Sequence, residues 1–370
     1  MAVPDSLVPM FNRDKVRREG DDETRTFEAQ CHCKNIQFSI TLPRSMLPLN
    51  AYICGCSICR LSHGTFGSFH ITLPPGHGPL WTNGKINLSV YRTPGSNGQR
   101  FFCPTCGAHS GHFEPWIGQW VLETSMFEEQ FWEFTHFAFP GAARDGGLFS
   151  WLPEIGGKQL IPLSPGEDTP PTYELEMGAS GEERLRAECH CGGVSFTIGR
   201  PTKEVLEDDY AKQYVSPKDP KKWKAVADFC RDCRVLSGAH SVAWFFVPRG
   251  ATEPEMPPDL HMGTMKTYES SEGVTRGFCG VCGATICAQS NLRVRPGHDS
   301  MMNVAMGILR APEGVKAENW VTWGTACPSF TSPEDDSMKF DPKFVEAMVK
   351  GHKKWGMEKH GEAVDFPVLY

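Results

Sequence analysis

The cysteines of this chain come in clusters, and the clusters come twice. Cys31 and Cys33 form a C-x-C, Cys54, Cys56 and Cys59 follow in CGCSICR, and Cys103 and Cys106 form a C-x-x-C. The same order returns as Cys189 and Cys191, then Cys230 and Cys233, then Cys279 and Cys282. Their flanks agree as well. FEAQCHCKNIQFSI from Phe27 aligns with LRAECHCGGVSFTI from Leu185, and CGCSICRLSHG with DFCRDCRVLSG. VYRTPGSNGQRFFCPTCGAHS aligns with TYESSEGVTRGFCGVCGATI, so Tyr91 matches Tyr268 and Arg100 matches Arg276. From the middle block to the C-x-x-C the spacing is 44 residues in the first copy (103 − 59) and 46 in the second (279 − 233). This is an internal duplication rather than a solenoid, whose repeats run to ~20–50 residues each.

Thirteen of the 15 cysteines lie in these groups, leaving Cys287 and Cys327 apart. Disulfide frameworks belong to short secreted chains, and this one has 370 residues with no basic-then-apolar leader. Clustered thiols in a reducing cytoplasm, the expected compartment, are metal ligands first. A net charge of −7 without a basic run points away from nucleic acid. No apolar run reaches the ~18 residues of a membrane span.

The local pattern is β. Ile36, Phe38, Ile40 and Leu42 alternate with polar neighbours, as do Ile86, Leu88 and Val90, and Val242, Trp244 and Phe246 recur at the same two-residue spacing and are expected on one face of a strand. The second copy carries 16 extra residues near EVLEDDYAKQYVSPKDPKKWK, expected to form a surface insertion with one short helix. The spacing and composition predict a first domain over 25–161, a linker over 162–183, a second domain over 184–340 and a helical tail over 341–370. Residues 1–24 look like a loose arm. In the tail, PKFVEAMVKGHKKWGMEKH puts Phe344, Val345, Met348 and Val349 on one stripe.

Counting ligands gives the chemistry. Cys31, Cys33, Cys103 and Cys106 make four thiolates, and Cys189, Cys191, Cys279 and Cys282 make four more. Four cysteines close a tetrahedron around zinc and fasten distant strands together. Iron in a four-thiolate site is the alternative. Cys54, Cys56 and Cys59 then lack a fourth cysteine. Cys287, Cys327, His63, water or a substrate remain for that position. Three protein ligands with an exchangeable fourth is how catalytic zinc differs from structural zinc. Three thiolates weaken the metal as a Lewis acid, which suits a bound thiol better than an activated water. A second structural site, closed by a local His or Cys, is the competing reading. In the second copy Asp228 stands where Cys54 does, followed by Cys230 and Cys233. That set is either an Asp-Cys-Cys site or a decayed one, so the first copy is the better candidate for catalysis.

These residues resemble the glutathione-dependent formaldehyde-activating enzyme family, which also includes centromere protein V. The pattern appears as CHC at 31, CGCSICR at 54 and RFFCPTCG at 100, and again as CHC at 189, DFCRDCR at 228, YESS at 268 and RGFCGVCG at 276. YRTPGS at 91 departs from the Y-x-S-S element. The resemblance implies a mainly β chain of two tandem zinc-binding β-tent domains with a C-terminal helix. It implies structural zinc at the outer cysteines and catalytic-type zinc at the middle blocks. It also implies a carbon–sulfur lyase-type reaction joining glutathione to formaldehyde. A small-molecule thiol or carbonyl, glutathione among them, is the expected partner. A specialised-metabolism enzyme with the same centre and a non-glutathione substrate is one alternative. A non-catalytic zinc scaffold for a protein partner is another.

Arg60 and Arg234 follow the last cysteine of each middle block and are candidates to stabilise an anionic zinc–thiolate centre or hold a substrate carboxylate; a surface arginine is the plain alternative. Tyr91 and Tyr268 either close a pocket or pack in strands. His63, His109 and His112 are expected to be structural rather than general bases. Cys287 and Cys327 are expected as buried small hydrophobes.

Overall fold

A computed structural model describes residues 4–18, 20, 23–83, 87–94, 98–164 and 168–366. Its first copy opens with an antiparallel pair, β1 (Thr24–Gln30) and β2 (Gln37–Pro43). The turn between them holds the first C-x-C. The main strands are β3 (Leu49–Cys54), β4 (Ser68–Thr72), β6 (Ser89–Arg92), β7 (Gln99–Phe102), β8 (His109–Glu114), β9 (Gln119–Glu123) and β10 (Trp132–Ala138). The short β5 (Leu80–Asn83) pairs with β2. After β10 come a small hairpin, β11 (Glu154–Ile155) with β12 (Lys158–Gln159), and then β13 (Ile161–Leu163).

The second copy repeats the design. A small sheet joins β14 (Glu176–Met177), β15 (Glu183–Glu188), β16 (Ser195–Gly199) and β19 (Thr252–Glu253). The main sheet contains β17 (Trp223–Asp228), β18 (Val242–Pro248), β20 (Met265–Ser271), β21 (Val274–Cys279), β22 (Thr285–Ser290), β23 (Met301–Ala305) and β24 (Val321–Trp323). Its order is β20-β21-β22-β23-β18-β17-β24, and the first copy's is β6-β7-β8-β9-β4-β3-β10 with β13 added. Position by position these are the same sheet, down to one parallel pair at the same end, β3 with β10 and β17 with β24.

Five α-helices are described. α1 (Ser57–His63) and α3 (Arg231–Ser237) each follow the first middle strand of their copy. α2 (Lys203–Glu207) lies in the insertion, and α4 (Asp336–Phe340) leads into α5 (Pro342–His360). α5 starts as its sequence dictates. Pro342 sits at its start, where no amide is needed, and the Asp341 carboxylate accepts from the Phe344 amide at 3.2 Å. Phe344, Val345 and Met348 are buried as the stripe required, whereas Val349 is only partly covered. Among the described residues no helix is long and apolar enough to cross a membrane.

Several expectations give way. The strand with Val242, Trp244 and Phe246 is buried on both faces, not half-buried, because other elements cover it from each side. Ile86 lies outside the described residues. The segment before β1 is no loose arm where it is described. Leu7, Met10 and Phe11 are buried, and the Asn12 carboxamide is fully enclosed. That carboxamide donates to the Asn50 and Thr72 carbonyls at 2.8 and 2.9 Å and accepts from the Asn50 amide at 2.8 Å. The insertion is not confined to the surface either: Tyr210, Ala211 and Tyr214 bury their side chains against Trp244 and Phe246. Both ends of the linker join sheets, β13 alongside β10 and β14 alongside β15, so unsatisfied backbone groups find partners there. Cys327 is exposed, while Cys287 is buried as expected.

The two copies share one core. Phe66 of the first stands 5.7 Å from Trp151 and from Trp323 of the second, and those two indoles meet edge-on at 4.8 Å. Gly351 of α5 lets the helix lie against Trp151; a Cβ there would overlap the Trp151 carbonyl.

Candidate metal centres

Each outer cysteine set is assembled from two turns. Cys31 and Cys33 sit between β1 and β2, and Cys103 and Cys106 between β7 and β8. Sγ separations are 3.5 Å for Cys31–Cys33 and 3.6 Å for Cys33–Cys103. In the second copy they are 3.6 Å for Cys189–Cys191 and 3.5 Å for Cys191–Cys279. All are free thiols. A zinc ion with Zn–S near ~2.3 Å spaces tetrahedral sulfurs at about 3.8 Å, so both sets fit such an ion. Backbone amides add to this. Ile36 donates to Cys31, Val194 to Cys189, and Val281 and Cys282 to Cys279, at 3.2 to 3.4 Å. Packed this closely without a cation, the thiols cannot all ionise. Cys103 is pulled down to about 2 by hydrogen bonds from Cys106 and Cys31, at the expense of Cys106, which is pushed far up.

The middle blocks occupy a strand-to-helix turn. Cys54 ends β3, and the Cys56 sulfur caps α1 by accepting from the Cys59 amide at 3.4 Å. The second copy matches it, with Asp228 ending β17 and Cys230 capping α3 at 3.2 Å from the Cys233 amide. Donor atoms of Cys54, Cys56 and Cys59 lie within 4.8 Å of one another, as do those of Asp228, Cys230 and Cys233. Both sets are grouped closely enough to share one cation, and Cys230 and Cys233, whose sulfurs stand 2.8 Å apart, would have to spread to take up the spacing of ligated sulfurs. Neither gains a fourth ligating residue among the described residues. The residues weighed for that place lie elsewhere: His63 bonds the second copy, and Cys287 touches Met265 at 3.9 Å.

The cation at each centre is not the arginine singled out in the sequence. Arg60 is buried and donates to the Gly55 and Ala142 carbonyls at 3.1 and 3.2 Å. Arg234 donates to the Ser125 carbonyl at 2.8 Å and to Asp336 at 2.9 Å. Both brace the turn from behind. Arg100 instead reaches the Cys59 sulfur at 3.4 Å, and Arg276 reaches Cys233 at 3.4 Å and Cys230 at 3.8 Å. Burial alone would lower the Arg100 and Arg276 guanidiniums, but the neighbouring sulfurs outweigh it and hold them charged. Each lies on a strand separated from that of its block by three others in the sheet, β7 from β3 and β21 from β17, and the signal for it was the Arg100–Arg276 match between copies.

The surroundings differ. Beside the first centre, His70 bonds Ser68 at 2.5 Å and faces Glu123 at 3.3 Å. Burial lowers the His70 imidazole, but Glu123 and Cys59 outweigh it and raise it to about 9. His63, His109 and His112 are driven down by burial. His109 stacks on His63 at 3.9 Å and meets the Gly283 carbonyl at 3.0 Å, a structural position between the copies. At the second centre burial raises the Asp228 carboxyl, and a cavity of about 440 Å³ lies over the ligands.

The histidines inside the two CHC turns also cross between copies. His32 bonds Tyr268 and Asp232, both at 2.9 Å, and His190 bonds Tyr91 at 2.5 Å. The two tyrosines thus tie each outer site to the opposite copy. Identity of the CHC in both halves was the available signal for these histidines, and ligand counting passed over it.

The family described as "Glutathione-dependent formaldehyde-activating enzyme" matches residues 26–129 and 213–323. No curated protein matches the chain. A crystal structure of a Rhodobacter sphaeroides protein is 22% identical, over 29% of this chain and 99% of that one, with a TM-score of 0.23.

Proposed function

Because the chain belongs to the glutathione-dependent formaldehyde-activating enzyme family, we propose that it is a zinc-dependent enzyme of the carbon–sulfur lyase type that handles thiol adducts of small carbonyl compounds. The observation that carries this reading is the contrast in ligand number. Two sets offer four sulfurs and two offer three donors, with a guanidinium on the sulfurs of each three-donor set. A four-sulfur set has no place for a substrate, and a three-donor set has one.

Bound zinc would lower the pKa of a substrate thiol and keep its sulfur nucleophilic. The chain's own residues prepare that place. Cys54, Cys56 and Cys59, or Asp228, Cys230 and Cys233, supply negative donors from one rigid strand–turn–helix unit. Arg100 and Arg276 offset that charge in a buried setting, where an uncompensated thiolate cluster would be costly. In the forward reaction a sulfur–carbon bond forms and the thiol proton ends on the carbonyl oxygen; the reverse releases both partners.

The test is exchange between glutathione, formaldehyde and S-hydroxymethylglutathione, followed by NMR with zinc-loaded protein. Acceleration over the protein-free mixture, abolished in a Cys56→Ala/Cys230→Ala double variant that keeps its circular dichroism, supports the proposal. Equal exchange with and without protein, for this pair and for other thiol–carbonyl pairs, would leave a non-catalytic zinc scaffold as the better reading.

A further inference from the structure

The duplication relates the two three-donor centres, yet what surrounds them has diverged in one direction. Strand register makes the comparison position by position. Tyr52 faces His70 and His70 faces Glu123 across the first sheet, while Val226 faces Trp244 and Trp244 faces Ala305 across the second. Arg100 faces His112, and Arg276 faces Ala288. So Tyr52, His70, His112 and Glu123 around the first centre become Val226, Trp244, Ala288 and Ala305 around the second. A buried polar network has been exchanged for an apolar wall.

The coverings differ too. At the first centre Leu7, Met10 and Phe11 pack in one apolar cluster with Cys54 and Cys59. At the second, the space stays open. The cavity of about 440 Å³ has the ligands Asp228, Cys230 and Cys233 and Arg276 at its floor, Trp244, Val274, Ala288, Leu292 and Phe330 as an apolar part of its wall, and charged or polar side chains such as Asp232, Arg293, Asn303 and Asp336 around the rest. Small-molecule sites usually enclose ~300–1,000 Å³ and are mostly apolar with a few placed polar groups. Formaldehyde, one carbon and one oxygen, fills only a small part of such a space and has nothing to set against an indole and a phenyl ring.

We propose that the second copy, with its Asp228–Cys230–Cys233 centre, is where substrate binds and reacts, and that its substrate is a thiol or thiol adduct carrying an apolar, ring-sized group. The first centre then serves as a third structural metal site. This rests on the thiol–carbonyl reading above and reverses the sequence-based preference for the first copy. The chemical step is unchanged: the sulfur–carbon bond forms as the thiol proton passes to the carbonyl oxygen, or breaks with the proton returned. Trp244, Val274 and Ala288 would hold the apolar group, and the Arg276 guanidinium reaches both sulfurs beneath it, at 3.4 Å from Cys233 and 3.8 Å from Cys230.

The experiment uses the zinc-loaded full chain and benzyl mercaptan as probe, with two readouts. One is binding by calorimetry. The other is protection of individual cysteines from iodoacetamide, mapped by peptide mass spectrometry. The expected result is binding that shields Cys230 and Cys233, and that weakens at least tenfold in Ala288→Trp, which fills the cavity while zinc content stays constant. Val274→Trp at the rim gives the same reading should Ala288→Trp not fold. Shielding of Cys54, Cys56 and Cys59, or binding indifferent to both cavity variants, would overturn the assignment to the second copy. Exchange of glutathione and formaldehyde without any binding of benzyl mercaptan would overturn the substrate class and leave the parent reading standing. Neither binding nor exchange would sink both.

Discussion

His63 Nδ1 lies 2.9 Å from the carbonyl oxygen of Ser237, and these two residues hold the same place in the two copies, each the last residue of the helix that follows a middle block. The duplicated halves therefore meet at equivalent points, as the subunits of a twofold dimer do. The carbonyl can only accept, so His63 donates from Nδ1. Burial holds this imidazole well below its usual pKa, which suits a neutral ring at the seam.

Tight contact at that seam makes Gly64 sensitive. It closes α1 at φ 75°, and a Cβ there would overlap the Thr285 carbonyl of the other copy. Gly64→Ala should destabilise by at least about 2 kcal/mol, through backbone strain and displacement of β22. A urea titration checks this; an unchanged midpoint would show the halves to be loosely docked.

Metal content should reach four zinc ions per chain, counted by mass spectrometry of acid-digested protein. Cys33→Ala and Cys191→Ala should each lose one ion and a large part of the thermal stability, because binding energy at a closed four-thiolate site is folding energy. Two ions in the wild type would mean that neither three-donor set binds.

Removing the cation at either centre should raise the cost of holding thiolates there. Arg100→Gln and Arg276→Gln are expected to weaken zinc retention at their own centre about tenfold or more, seen as faster release to a chelator, with the other centre unaffected. Release no faster than from the wild type in both variants would show that the guanidiniums do not govern the sulfurs.

Acid stability should depend on His352. Burial, helped by Lys316, lowers its imidazole to about 3, and neither ring nitrogen has a hydrogen-bond partner between Trp151, Trp323 and Trp355. Its folded pKa is below its unfolded one, so the unfolded chain binds the proton first. Stability is then full above about pH 6.5 and falls as the pH drops toward 3, by up to about 1.4 kcal/mol per unit. His352→Phe should flatten that slope between pH 7 and pH 5 in urea midpoints.

Asn12→Ala should cost roughly 2–4 kcal/mol, since it removes three buried hydrogen bonds and leaves the Asn50 and Thr72 backbone groups without their partner. A melting temperature within one degree of the wild type would show that the segment before β1 contributes nothing to the first copy.

How much of this was legible beforehand follows from the range of each interaction. Metal ligands are few, chemically distinctive and locally spaced, so the duplication, the four ligand groups and the family could be read from the cysteines alone. The β pattern and α5 came from periodicity, a local property. Contacts across the duplication were not local. Which arginine meets the sulfurs depended on β7 and β21 lying beside the strand–turn–helix units, and that placed Arg100 and Arg276 there while Arg60 and Arg234 turned to backbone carbonyls. The burial of Phe11 and Tyr214, the His32–Tyr268 bond and the space above Asp228 likewise exist only once the sheets have packed. The sequence determined which atoms can hold a metal; the tertiary structure decided which of those centres is left room for anything else, because free volume belongs to the packing of many distant side chains and to no residue by itself.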